Sequence, residues 1–326
     1  MDASTENKAV LFETPDNKIP KGAYAGFVTT ADGARIRYAR WASSKPTVNQ
    51  TPKGTILLLH GRTEFIEKFY ETVRDLLDRG FDVLTFDWRG QGGSERLLKE
   101  TLKGHVEHFN QYLSDLETIL SEVALPDCKA PLSIVGHSTG SLVAMLAAPA
   151  LTNRIHRMVL LSPLLELNNI PLKQKTLRRI SGILSFLGFS RNYVLRPTVS
   201  PELRAFDGNN LTSDEFRFER TKKFLFKFPA LGTGGPTIGW VFAACQAMEK
   251  VQEPGFASAI SVPTLLVIAG GDKVVKPGVA QAYGQKMRSG GGTMITGSLH
   301  EILQEKDIYR DQLLAAISSF VPGETR

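Results

Sequence analysis

Apolar residues fall along this chain in two alternating rhythms. A continuous apolar run at 55–59 reads as a strand buried on both faces of a sheet, 264–269 reads as another buried strand, and the apolar-rich stretches 81–86, 132–135 and 155–161 read as further strands. Between them lie stretches with helical spacing. The first, 65–79, places Phe69, Val73, Leu76 and Leu77 on one side and stops at Gly80. Segments 105–123, 141–148, 278–288 and 304–320 repeat that rhythm, and 293–296 is a short last strand. Ahead of the first buried run, 24–30 and 34–41 alternate apolar and polar residues around Ala31-Asp32-Gly33, which predicts a β-hairpin. Strands that alternate with helices in this way predict an α/β fold: a mostly parallel central sheet with helices on both faces.

After Ser162-Pro163 the rhythm breaks. From 164 to 239 there is no buried strand, only basic helical stretches, several prolines and Gly232-Thr233-Gly234-Gly235. The expected organisation is an N-terminal arm with little structure of its own (1–22), a core (23–163), an inserted helical cap over the strand ends (164–239) and the rest of the core (240–326). A polar, Pro-containing loop is expected at 43–53. With 326 residues, 42% of them apolar, the chain can bury a large core.

Charge sharpens the division. Between Ile170 and Ala230 twelve basic residues face five acidic ones, a balance of +7 against +6 for the whole chain, so the remainder is close to neutral. An excess confined to one segment bears on what that segment faces. No nucleic-acid-binding module accompanies it. No apolar run approaches the ~20 residues of a membrane span. Met1–Pro20 lacks the basic and apolar regions of a secretory leader. Two distant cysteines, Cys128 and Cys245, fit a reducing compartment, so a cytoplasmic protein is expected, with the cap free to meet a membrane surface.

The candidate chemistry sits at strand ends. Gly136-His137-Ser138-Thr139-Gly140 lies between a strand and a helix, a spacing that forms a strained turn and lifts a serine hydroxyl off the sheet. A serine hydroxyl needs a base within hydrogen-bond reach and a third group to orient that base. Asp272 directly follows a buried strand, and His300 sits in the loop after the last one, giving the order Ser138, Asp272, His300 at one sheet edge. Glu301 and Asp307 are rival acids and His60, His105 and His108 rival bases, while Asp87 reads as structural. Oxyanion donors are assigned to the backbone N–H groups of Thr139 and Arg62.

In these segments the chain resembles the monoacylglycerol lipase and lysophospholipase branch of the α/β-hydrolases, the serine-aminopeptidase-like group. The matching stretches are Leu58-Leu59-His60-Gly61-Arg62-Thr63-Glu64, Phe86-Asp87-Trp88-Arg89-Gly90-Gln91-Gly92-Gly93-Ser94, the serine turn, Leu160-Leu161-Ser162-Pro163, Gly270-Gly271-Asp272 and Leu299-His300. The cap is not matched motif by motif. The resemblance implies the α/β-hydrolase fold, with Ser138 as nucleophile, Asp272 as acid and His300 as base. Arg62 and Thr139 depart from it, standing where a small residue and a Met or Leu are commoner.

The function expected is ester hydrolysis of a single-chain lipid, a lysophospholipid or monoacylglycerol, without metal or organic cofactor. Glu64, Phe65, Leu184 and Phe186 are expected to contact substrate, and the apolar side of the cap to form a slot for an acyl chain. Two other readings stay open: a peptidase or amidase of the same fold, and a non-hydrolytic ligand receptor.

Overall fold

The computed structural model describes residues 8–43, 53–168, 170–194, 200 and 203–321. Most of the expected loop at 43–53 therefore lies outside the described residues, as do Arg196 and Glu202 of the charged segment.

Eight strands form one sheet: β1 (Ala23–Thr29), β2 (Arg35–Trp41), β3 (Thr55–Leu59), β4 (Asp82–Phe86), β5 (Leu132–His137), β6 (Arg157–Leu161), β7 (Thr264–Ala269) and β8 (Gly290–Ile295). Their spatial order is β1-β2-β4-β3-β5-β6-β7-β8. β1 and β2 make the antiparallel hairpin, and β2 joins β4 antiparallel. All other neighbours run parallel. This is the α/β-hydrolase architecture, mostly parallel with helices.

The central strands are buried on both sides, so one apolar run feeds two cores. Leu57 and Leu59 of β3 pack into one with Ile134 and Phe86. Ile56 and Leu58 pack into the other with Val83 and Val135. Alternate side chains of a strand leave opposite faces of the sheet, which is why these runs are apolar at most positions on both faces.

The main helices are α1 (Tyr70–Asp78), α2 (Phe109–Ile119), α3 (Thr139–Leu151), α4 (Gln174–Leu184), α5 (Glu215–Lys227), α6 (Ile238–Val251), α7 (Pro277–Gly284) and α8 (Asp307–Phe320). The stretch expected as one helix at 65–79 begins as a tight 3-10 turn, Ile66–Phe69, before α1. The expected 105–123 helix starts only at Phe109 and widens into a π turn at Leu120–Ala124. β8 begins earlier than expected, because Gly290, Gly291 and Gly292 pair with Thr264, Leu265 and Leu266. Glycines carry no hydropathy signal, and a side chain on Gly290 would strike the Thr264 carbonyl.

Residues 8–22 make few bonds among themselves but are held by the rest of the chain. Ala9 N–H bonds the Ala25 carbonyl at 3.2 Å. Tyr70 OH donates to the Phe12 carbonyl at 3.0 Å, and Trp41 Nε1 to the Pro20 carbonyl at 3.2 Å. The Phe12 ring lies 4.7 Å from that of Phe228. Residues between β6 and α6 form no strand of the sheet among those described, and carry α4 and α5.

Candidate active site

The turn between β5 and α3 holds Ser138 at φ 50°, ψ −109°, a conformation that L-residues rarely adopt. Its tightness follows from its neighbours. A Cβ on Gly140 would run into the Leu59 and His60 carbonyls, and one on Gly136 would press on the Ser141 backbone at 3.1 Å. Ser138 N–H bonds the Leu161 carbonyl at 2.9 Å, which ties the turn to β6.

Asp272 follows β7 and His300 follows β8, so both reach the strand end at which Ser138 sits. The three side chains are buried and in contact. His300 Nε2 lies 3.0 Å from Ser138 Oγ, and His300 Nδ1 lies 2.7 Å from Asp272 Oδ2. Val274 and Val275 N–H donate to Asp272 Oδ1 at 2.7 and 2.9 Å. Burial of Asp272 resists its ionisation, but the neighbouring His300 and these backbone donors outweigh it and hold the carboxyl below its usual value. An ionised Asp272 keeps the proton of His300 on Nδ1 and leaves Nε2 to accept the serine proton. The arrangement can activate a hydroxyl for attack on an acyl carbon.

Thr139 is the first residue of α3, so its N–H is one of those that find no acceptor within the helix. Arg62 lies between two tethered amides: Gly61 N–H donates to Glu64, and Thr63 N–H donates to Gln91 Oε1 at 2.7 Å. Both Arg62 and Thr139 border a cavity of about 410 Å³ that contains Ser138 and His300. The Arg62 guanidinium donates to the Gly234 carbonyl and lies 5.1 Å from the centre of the Trp240 ring, so it forms part of the wall. Between β6 and α6 the chain contributes Leu164, Leu167, Ile170, Leu177 and Leu211, which makes that side of the cavity apolar. Among the described residues no cluster of three or more His, Cys, Asp or Glu side chains is arranged to hold a metal ion.

The rival acids and bases are engaged elsewhere. Asp87 accepts from Arg37 Nε at 2.8 Å and from Ile66 and Gly93 N–H at 2.9 and 2.7 Å. His60 is buried against the Gly61 carbonyl, His105 bonds Thr237 Oγ1 at 2.8 Å, and His108 precedes α2. Asp307 pairs with Arg217 at 2.6 Å. Glu301 borders the cavity but pairs with Lys68 Nζ at 2.7 Å.

Four expected substrate contacts lie off the cavity wall. Glu64 is buried with its Oε2 2.8 Å from His137 Nδ1 and its Oε1 3.3 Å from Lys68 Nζ. Phe65 is fully buried and stacks on Phe224 at 5.8 Å, where it anchors α5. Leu184 closes α4 without lining the cavity, and Phe186 is 91% exposed on the outer surface. Helical periodicity separates the two faces of α4 but does not say which one the core takes. Leu177 faces the cavity, whereas Ile180 and Ile183 face out. The bond between Glu64 and His137 has no signature in sequence spacing, since 73 positions separate the two.

Residues 50–307 match the family described as serine aminopeptidase, S33. The lysophospholipase L2 of Escherichia coli K12 is 29% identical over 299 residues, covering 90% of this chain and 85% of that protein. A probable lysophospholipase L2 of Haemophilus influenzae is 28% identical over 267 residues, covering 82% and 83%. Among solved structures, a soluble variant of monoglyceride lipase from Saccharomyces cerevisiae, in complex with a substrate analog, superposes with a TM-score of 0.72 at 19% identity, covering 92% of this chain and 95% of that one. That likeness is one of fold, and the family match extends over most of the chain. The protein belongs to the serine aminopeptidase S33 family and is a serine hydrolase of the α/β-hydrolase fold.

Proposed function

We propose that the protein hydrolyses the carboxylic ester of a single-chain lipid, a lysophospholipid or monoacylglycerol, through an acyl-enzyme on Ser138. The observation that carries this reading is the continuous chain Ser138–His300–Asp272, at 3.0 and 2.7 Å, at the end of an apolar cavity. The Ser138 hydroxyl attacks the ester carbonyl while His300 Nε2 takes its proton. The N–H groups of Thr139 and Arg62 receive the oxyanion. His300 then protonates the departing alcohol, and water, activated by the same ring, releases the fatty acid. Each buried acyl methylene adds ~0.8 kcal/mol of binding, so an apolar wall suits a fatty chain better than a peptide. The lysophospholipases among the relatives support the substrate class.

Residues 164–239 act as a cap in this reading, and their outer side meets an anionic lipid surface. Ile180, Ile183, Phe186 and Leu187 are exposed on consecutive turns, with Lys173, Lys175 and Arg179 beside them and no acidic residue between Glu166 and Glu202. Apolar side chains flanked by cations suit the interface of an anionic bilayer. No helix of the described residues is long and apolar enough to cross a membrane.

The deciding assay compares lysophosphatidylcholine, a monoacylglycerol, a chain-length series of p-nitrophenyl esters and a matched amide. Turnover of the lipids that vanishes in Ser138→Ala is expected. Turnover confined to the amide would replace this reading with an amidase, and binding without turnover would replace it with a receptor.

A further inference from the structure

His137 precedes the serine, and both of its ring nitrogens face acceptors. Nδ1 lies 2.8 Å from Glu64 Oε2, and Nε2 lies 3.1 Å from the main-chain carbonyl oxygen of His300. A carbonyl only accepts, so Nε2 carries a proton. The same Glu64 oxygen accepts the Gly61 N–H, and Lys68 Nζ lies 3.3 Å from its other oxygen. These donors favour a carboxylate, so Nδ1 carries a proton as well. We infer that Glu64 and His137 are positioning residues: Glu64 holds His137 as an imidazolium, whose Nε2–H clamps the His300 carbonyl and so sets the base against Ser138.

Three loops meet at this pair. Glu64 follows β3 and ties down the Gly61 amide next to Arg62, the proposed oxyanion donor. His137 ends β5, one residue before the serine. The His300 carbonyl lies beyond β8, where Ser162 Oγ also donates to it at 3.0 Å. The ring centres of His137 and His300 are 4.9 Å apart, so no further side chain separates them. Gly61 leaves room for this pair, since a Cβ there would come within 2.9 Å of His137 Nδ1 and 2.8 Å of Glu64 Oε2. The charged groups facing the ring are Glu64, Lys68, Glu301 and His300 itself. Burial of His137 opposes its charge, but Glu64 outweighs it and raises the ring's affinity for a proton.

The inference rests on the hydrolase reading, and its test separates the two. His137→Phe keeps a ring and deletes both donors, His137→Gln keeps one donor, and Glu64→Gln removes the counter-charge. With the full chain and a p-nitrophenyl ester, His137→Phe should lower kcat about 100-fold, as a misplaced base does, and leave KM near the wild-type value. His137→Gln should recover part of the loss, and fluorophosphonate labelling of Ser138 should slow in parallel. In wild-type protein labelled with 15N-histidine, NMR should show a ring protonated on both nitrogens at neutral pH, absent from both His137 variants and lost in Glu64→Gln. Wild-type kcat in His137→Phe, or a neutral His137 ring in the wild type, would overturn the inference. Should His137→Phe fail to fold, the spectrum and Glu64→Gln decide. Wild-type protein that neither turns over esters nor labels would overturn the hydrolase reading instead, with the ring's protonation still read directly.

Discussion

Ser138 shows what a single residue is asked to do at this site. Its strained backbone sits at the strand end, and two buried side chains, His300 and Asp272, continue from its Oγ at 3.0 and 2.7 Å, the path proposed for the proton. Asp272→Asn keeps the shape but lets the Asp-side amide donate, which favours the wrong tautomer of His300. The expected outcome is a fall in kcat of about 10⁴-fold with unchanged unfolding midpoint, checked by steady-state kinetics and urea titration. These three residues could be singled out in the sequence because each stands in the turn or loop that follows a strand, and strand ends can be read from apolar runs. Glu64 and Phe65 were not legible in the same way. They stand two and three residues beyond Arg62 in the same loop after β3, yet the chain sends them into the protein, to His137 and to Phe224. Only three-dimensional proximity distinguishes a residue that lines the cavity from its neighbour that supports it.

At the scale of elements, the central strands were the most readable because burial on both faces leaves few polar positions. β3 and β7 fall where the apolar runs place them, and the hairpin of β1 and β2 follows its alternation. The glycine run opening β8 and the 3-10 entry to α1 were not readable, since both are set by neighbouring backbone. Gly140 is a sharper case of the same constraint. Gly140→Ala would push α3 off the carbonyls of Leu59 and His60, and is expected to cost about 1–3 kcal/mol in urea unfolding and to abolish turnover. The end of α4 and the turn that follows it, Ser185–Phe189, carry a different expectation. Ile183, Phe186 and Leu187 are exposed, so replacing all three with serine should leave stability unchanged. Co-sedimentation with anionic vesicles should fall, whereas hydrolysis of a short water-soluble ester should not. Retained vesicle binding would remove the proposed membrane contact of the cap.

For the whole molecule, the question is how residues 164–239 stay joined to the sheet. Arg217 of α5 pairs with Glu71 of α1 at 2.6 Å and with Asp307 of α8 at 2.6 Å, and Arg220 reaches Glu71 at 2.7 Å. Burial works against the Glu71 charge, but the two arginines prevail and bring its pKa from 4.5 down to about 2. A carboxylate depressed in the folded state stabilises that state above its unfolded pKa and loses the contribution as pH falls through the folded one. Stability should therefore decline between those two values, and Glu71→Gln should flatten that decline in urea titrations across the acid range. The charge excess of 164–239 was legible from composition, but its division into structural arginines, such as Arg217, and exposed cations, such as Lys175, depends on which face of each helix the core takes. The most direct test of the whole reading is mass mapping of the protein after reaction with a fluorophosphonate. A single adduct on the peptide carrying Ser138, blocked by a lysophospholipid and absent in His300→Ala, is the expected result. An unmodified Ser138, or an adduct formed equally well without His300, would contradict it.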